Sequence, residues 1–322
     1  MRTRNLPVIQ GEAVMEIKND ISNKYINFQK SHQSARLKDK LVPYLFILPF
    51  IISFFVFFAF PSIYSLVLSF FSYKGYGKAN FAGFDNYISV LSYGNFWVGV
   101  KNTLFYFLMH IVPVMLFGFL FAAAMYSKLM SNVQSIFKPL LFMPQVVPIV
   151  ASALAFKIIF ATNVGVLNQI FGFSIQWLSD PDIMRWPVLV LIVWRATGWY
   201  MVIYLAGLTT ISDEIMDASR IDGTTILQKY VHVIIPMMKP IFLFAFLIDA
   251  IGSFRIYTEP NILLGGGGGT YLNYDAAPVM NIMTDAISGG SFGMASATGW
   301  LIFIMILLIS IVQYRILRER DE

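Results

Sequence analysis

Long apolar runs alternate with short polar segments along most of this chain. A bilayer core of about 30 Å needs roughly 20 apolar residues in a helix. Six segments meet that length: residues 41–71, 100–126, 136–160, 186–208, 234–258 and 292–317. The pattern predicts an all-α integral membrane protein with six transmembrane helices. Pro49, Pro61, Pro113, Pro144 and Pro148 sit inside or near these runs. In lipid such prolines are tolerated where neighbouring helices or water satisfy the freed carbonyls, so they favour a kinked, packed bundle over independent anchors. The first run reads as a retained span rather than a cleaved signal, because forty residues precede it and no small-residue site closes it.

Composition agrees. The 322 residues are 57% hydrophobic and 13% charged, against about 25% charged in soluble domains, and the mean hydropathy is +0.67. The net charge of +5 is explained by charged loops and is no argument for nucleic acid. Without cysteine, disulfides, thiolate metal sites and cysteine nucleophiles are excluded. The placement of Lys and Arg sets an orientation. The tail 1–40, the loops after the second and fourth runs and the C-terminal end hold sixteen, and the other loops hold four, Lys74, Lys78, Lys101 and Arg185. Both termini and the segment 212–236 are therefore expected in the cytoplasm. Within the tail, Val14, Ile17, Ile21, Tyr25 and Phe28 recur at helical spacing. An interfacial helix and a mobile basic tail both fit.

The polar segment "EIMDASRIDGTTILQKYVHVIIP" at 214–236 lies between the fourth and fifth runs. Ser212 suits an N-cap, and Asp213 and Glu214 come next, where the helix dipole favours acids. Gly223 suits a C-cap or a sharp turn. Thr224 or Thr225 can cap a second short helix with Ile226, Leu227, Tyr230 and Val231 on one face. The expectation is a helix, a glycine elbow and a helix. Its apolar stripe either meets a partner or packs on its own bundle.

Four charges stand out inside the spans: Lys157, Arg195, Asp249 and Arg255. Such charges are costly and face a cavity or a partner. Lys157 can snorkel from the end of the third run, and Arg195 and Asp249 can pair with each other. Alternatively these groups line a wet path. Sugars are held by planar polar groups and by stacking on aromatic faces, and Trp194, Trp199, Tyr200, Tyr204, Ser253 and Tyr257 offer both. Two Arg against one Asp lean such a path positive, which hints at an acidic sugar of uronate type, with neutral oligosaccharides close behind.

The segment "DEIMDASRIDGTTILQKYVHVIIPMMKP" resembles the EAA loop of permease subunits of binding-protein-dependent ABC importers. Asp217, Ala218 and Ser219 stand in the E-A-A place, Gly223 is the glycine, and Val233, Ile235 and Pro236 close the pattern. The likeness to the maltose-type, carbohydrate-uptake branch extends to "NFAGFDNY" at 80–87, "KNTLFY" at 101–106, "LLFMPQVVPIVASALAFKIIF" at 140–160, "YLAGLTTI" at 204–211 and "FGMASATGWLIFI" at 292–304. It also extends to "GSFRIYTEPNILLGGGGGT" at 252–270, where the branch's usual proline is missing and the glycine run is longer.

The resemblance implies a transmembrane domain over 41–317 whose cytoplasmic coupling loop, 212–236, docks on an ATPase, with cytoplasmic ends at 1–40 and 318–322. It assigns the docking contact to Glu214, Asp217, Ala218, Ser219, Asp222 and Gly223. It assigns the substrate path to the spans flanking the loop, hence to Trp194, Arg195, Trp199, Tyr200, Tyr204, Asp249, Ser253, Arg255 and Tyr257. The implied partners are a second permease subunit, two ATPase subunits and an extracytoplasmic sugar-binding protein in a bacterial inner membrane, with an oligo- or polysaccharide as cargo. ATP and Mg would belong to the ATPase, and this chain carries no cofactor.

No G-x-x-x-x-G-K-[ST] is present, and the glycines at 265–269 lack its Lys. His32, His110 and His232 are scattered, which argues against a metal site. No enzyme chemistry is indicated. The alternatives are a secondary transporter, which would show inverted repeats, and a membrane scaffold without transport.

Overall fold

The computed structural model describes residues 18, 22, 42–127, 133–265 and 274–318. The interfacial-helix positions Val14, Ile17, Ile21, Tyr25 and Phe28 and the glycines 266–269 lie outside them. The chain divides after Tyr64 into two compact units. The first apolar run forms α1, Val42–Leu68, with a π-helical stretch at Phe55–Ala59.

In the second unit a two-residue hairpin, β1 (Phe71–Ser72) against β2 (Asn80–Phe81), leads to the short helix α2, Asp85–Ser92. Asn86 explains part of the "NFAGFDNY" signal, since its side-chain amide donates to the carbonyls of Ser69 (2.8 Å) and Phe71 (3.0 Å) and closes the hairpin onto α2. The second run is α3, Gly94–Tyr126. At 1.5 Å per residue its 33 residues exceed a bilayer core.

The third run is not one straight span. It is α4, Gln134–Val146, and α5, Ile149–Ile159, bent by 93°. Proline disfavours helical geometry in the residue before it. Val147, which precedes Pro148, is extended (φ −62°, ψ 133°), and Pro148 has no N–H to continue the ladder. Next come a short α6, Val166–Phe171, and α7, Arg185–Leu208, the fourth span.

The polar segment is a helix, α8, Asp213–Ile221, then a turn with Gly223 at φ +70°. Thr225 caps the next helical turn, accepting from the Gln228 N–H while Gln228 Oε1 accepts from the Thr225 N–H. The expected second short helix is not separate. It is the first turn of α9, Ile226–Ser253, which passes through a π-helical stretch at Tyr230–Ile234. Pro236 lies at the start of the α-helical part beyond that stretch, where a missing N–H matters least. The fifth span therefore starts earlier than expected and ends at Ser253. Beyond it lie α10, Thr258–Leu264, a 3₁₀ turn at Tyr274–Ala276 and α11, Met280–Ser288, before α12, Phe292–Arg318.

Helix α7 is central, packed on α3, α4, α9 and α10. A Cβ at Gly198 would collide with the Leu141 carbonyl of α4, and one at Gly118 of α3 would lie 3.0 Å from Tyr200 Cβ. The main cluster of this core joins Val114 and Ala122 of α3, Met201, Tyr204 and Leu208 of α7, Met216 of α8 and Met238 of α9.

Replacing Gly198 with Ala is expected to destabilise the bundle by ~1–3 kcal/mol, the usual range for overpacking. The check is thermal unfolding of the detergent-solubilised protein; an unchanged midpoint contradicts the tight α4–α7 crossing.

Candidate functional site

Polar side chains buried in the bundle converge on Asp249, which is 6% exposed on α9. Tyr200 of α7 donates its hydroxyl to Asp249 Oδ1 at 2.9 Å. His110 of α3 lies with Nε2 3.1 Å from Oδ1 and 2.9 Å from Oδ2, and its Nδ1 is 2.6 Å from the Tyr106 carbonyl. One carboxylate thus ties three helices together. Ser253 donates back to the Asp249 carbonyl at 2.8 Å.

These groups form one wall of a cavity of about 260 Å³. Arg195 and Trp199 of α7, Gln145 beside the α4–α5 break, and Glu259 of α10 complete its polar lining. Arg195 Nη1 stands 3.7 Å from Glu259 Oε1, and Arg195 Nε is buried without a hydrogen-bond partner. Burial pushes the Glu259 carboxyl above the usual carboxylate range, while its own backbone N–H, Arg195 and the Tyr257 N–H oppose the shift. The Trp199 ring is 43% exposed, backed by Phe142 in stacked geometry at 6.3 Å. The cavity therefore offers two carboxylates, a guanidinium, an imidazole, an amide and a flat aromatic face.

Of the residues assigned to a path from sequence, Arg195, Trp199, Tyr200, Asp249 and Ser253 come together here. The other four lie elsewhere. Trp194 packs on Phe156 at 5.3 Å. Tyr204 is fully buried in the main core. Arg255 is exposed just past the end of α9, and Tyr257 precedes α10, its carbonyl accepting from the Asn261 N–H. The Arg195–Asp249 pair does not form: Asp249 is taken by His110 and Tyr200, and Arg195 faces Glu259. Lys157 does not simply snorkel. Its Nζ donates to the carbonyls of Ile262 (3.2 Å) and Gly265 (2.7 Å) at the end of α10.

Sequence reasoning missed His110, Gln145 and Glu259. His110 enters it only among the scattered histidines that argue against a metal site, although a lone polar residue deep in the second apolar run is a signal in itself.

At the elbow, Glu214, Asp217, Ala218, Asp222 and Gly223 are exposed, together with Ile221 (85%), Ile226 (75%) and Leu227 (73%). Ser219 faces inward instead. It is 5% exposed, donates to the Met216 carbonyl, and its own carbonyl accepts from Thr224 Oγ1 at 2.7 Å. It braces the turn and presents no side chain to a partner. The apolar stripe also splits, because Tyr230 turns in against Phe119 at 6.2 Å.

Residues 114–318 match the family described as the binding-protein-dependent transport system inner membrane component. The chain belongs to this family. The permease is 31% identical over 284 residues to the lactose transport system permease protein LacF of Rhizobium radiobacter, covering 86% of this chain and 94% of LacF. It is 30% identical over 290 residues to the arabinooligosaccharides transport system permease protein AraP of Bacillus subtilis, covering 86% and 88%. Its fold matches a chain of a bacterial alginate ABC transporter solved in complex with an alginate pentasaccharide-bound periplasmic protein, with a TM-score of 0.76 at 21% identity over 89% of this permease and 99% of that chain. Membership makes it an integral inner-membrane transport subunit and not an enzyme.

Tyr200→Phe removes one hydrogen bond to a carboxylate and is expected to cost about 1.5–3 kcal/mol. Asp249→Ala, which strands His110 and Tyr200, should cost more, roughly 3–5 kcal/mol. Thermal unfolding of the solubilised permease ranks the two; equal or negligible losses contradict the three-helix role of Asp249.

Proposed function

We propose that this chain is the permease subunit of an ATP-driven importer for a neutral oligosaccharide, that it forms half of the translocation path, and that its elbow couples the path to a cytoplasmic ATPase. Family membership supports dependence on a binding protein, and sugars are the cargo named for several relatives. The observation that carries the substrate class is the cavity lining. Sequence alone leans toward an acidic sugar by counting Arg195 and Arg255 against Asp249. In the cavity Arg255 drops out and Glu259 enters, so one guanidinium faces two carboxylates. With Arg195 set against Asp249 and Glu259, the lining offers an anionic sugar no excess of positive charge. A neutral sugar can donate a hydroxyl to Glu259, accept from Arg195 and lay its C–H face on Trp199.

Coupling rests on the elbow. Its inner face, Met216 and Ser219, is buried, and its outer face exposes acids and the apolar side chains Ile221, Ile226 and Leu227. That is the expected make-up of a docking surface. The partners in this reading are a second permease subunit, two ATPase subunits that bind ATP and Mg, and an extracytoplasmic sugar-binding protein. The positive-inside balance supports both termini, 1–40 and 318–322, in the cytoplasm.

The test is ATP hydrolysis by the reconstituted assembly with its binding protein. Arabino- or galacto-oligosaccharides should accelerate it and uronate oligomers at equal concentration should not; the reverse result would replace the neutral reading with the acidic one. Gly223→Val places a β-branched residue at φ +70° and should lower sugar-stimulated hydrolysis by about tenfold while the chain still inserts. Unchanged stimulation would remove the elbow from the coupling route.

A further inference from the structure

Both ends of α10 are held by cations that other helices supply. At its C-terminal end Lys157 of α5 donates to two carbonyls, one at 2.7 Å, which the last turn of a helix leaves open. At its N-terminal turn sits Glu259, opposite Arg195 of α7. Between the ends, Pro260 and Leu263 are buried, and α10 packs against α5 and α7. The two anchors differ in tightness. The Lys157 contacts are hydrogen bonds; the Arg195–Glu259 contact at 3.7 Å is too long to be one, and Arg195 keeps a buried Nε with no partner. The loose anchor is also the one that faces the cavity, since Arg195 and Glu259 both line it while Lys157 does not.

We propose that the Arg195–Glu259 pair is a latch that the cargo itself competes for, and that α10 is the movable wall of the cavity that the latch holds shut. The proposal rests on the cavity being the sugar path. A sugar there presents the two groups the latch lacks: oxygens that accept from Arg195 and hydroxyls that donate to Glu259. Each contact made to the sugar weakens the contact across the latch. The half-buried first turn of α10, Thr258 and Glu259, is then free to shift, while Phe254 and Ile256 of the link to α9 stay packed in the core. The short Lys157 bonds keep the other end in place. Arg195 and Glu259 thereby read the cargo's hydroxyls and report occupancy to the wall.

The chain contains no cysteine, so a single introduced thiol reports this movement in the complete importer with its binding protein. Thr258→Cys marks the end expected to move, and Val164→Cys, on a loop of the same outer side, is the control. With a membrane-impermeant maleimide, sugar-loaded binding protein should speed labelling at 258 about tenfold, the order expected for release of a partly buried pair, and leave 164 unchanged. Glu259→Gln should give the fast rate without sugar, and the exchanged pair Arg195→Glu with Glu259→Arg should restore the slow rate. If Glu259→Gln impairs assembly, Glu259→Asp, which keeps the charge but shortens the reach, should give the same acceleration. Labelling at 258 that ignores these substitutions, or an exchanged pair that stays fast, overturns the latch. If the substitutions act as expected but no sugar accelerates either labelling or ATP hydrolysis, the carbohydrate reading fails and the latch as a sugar sensor fails with it.

Discussion

Helix α7 can sit at the centre of this bundle because its neighbours come within backbone distance of it. Gly198 lets α4 lay its Leu141 carbonyl against the helix, and Gly118 of α3 does the same against Tyr200 and Met201. In lipid there is little hydrophobic gain in pressing one apolar helix on another, so close van der Waals contact between small residues decides which helices associate. These crossings have two consequences. The residues just past the glycines, Tyr200 above all, are fixed with little freedom. And α4 is brought beside α7 at the point where Pro148 ends it, so that Gln145 next to the break faces the cavity and not lipid.

The polar groups in the bundle are then forced to find one another. A carboxylate at the bilayer centre costs about 2.5–3.5 kcal/mol when it has no special partner. Asp249 offsets this with a phenol and an imidazole from two other helices, at distances of 2.9–3.1 Å. Arg195 is less well served, with one carboxylate at 3.7 Å and an idle Nε. The first cluster is therefore well satisfied by hydrogen bonds and the second is not. Both border the same cavity, so its walls include a side cross-linked by hydrogen bonds, on α3, α7 and α9, and a side on α10 that meets Arg195 only at 3.7 Å.

Legibility in the sequence depends on the range of the interactions involved. The first helix and the turn of the elbow were readable, and its second helix and the facing of Ser219 and Tyr230 were not. The determinants of the readable part are local: acids in the first turn, Gly223 where φ is positive, Thr225 and Gln228 closing a capping box. The existence of the spans was readable because each is a continuous apolar run. The 93° break was only hinted at, since two prolines in neighbouring turns, Pro144 and Pro148, are compatible with a gentle kink. The site was half readable. Charges in apolar runs were visible, but pairing was not, because helical register against three neighbours determines whether Asp249 meets Arg195 or His110. Glu259 was overlooked because it lies past the end of a run, where an acid looks like an ordinary loop residue until α10 folds back into the bundle.

The elbow and the cavity are joined by the length of α9, which runs from Ile226 to Asp249 and Ser253, and by packing. Met216 on the inner face of α8 belongs to the same buried cluster as Tyr200, Met201 and Tyr204 of α7, and Tyr200 ends on Asp249 in the cavity wall. Such a core is close to incompressible, so under the proposed coupling a displacement of the elbow would move α7 as a body. The Asp249 cluster would move with it, because its hydrogen bonds cross from α7 to α3 and α9. The weak point along this line is the Arg195–Glu259 contact, a link to the cavity wall made at more than hydrogen-bond distance. In the proposed function, motion of the elbow and occupancy of the cavity would meet on the same side chain, Arg195, about a turn and a half of α7 from Tyr200.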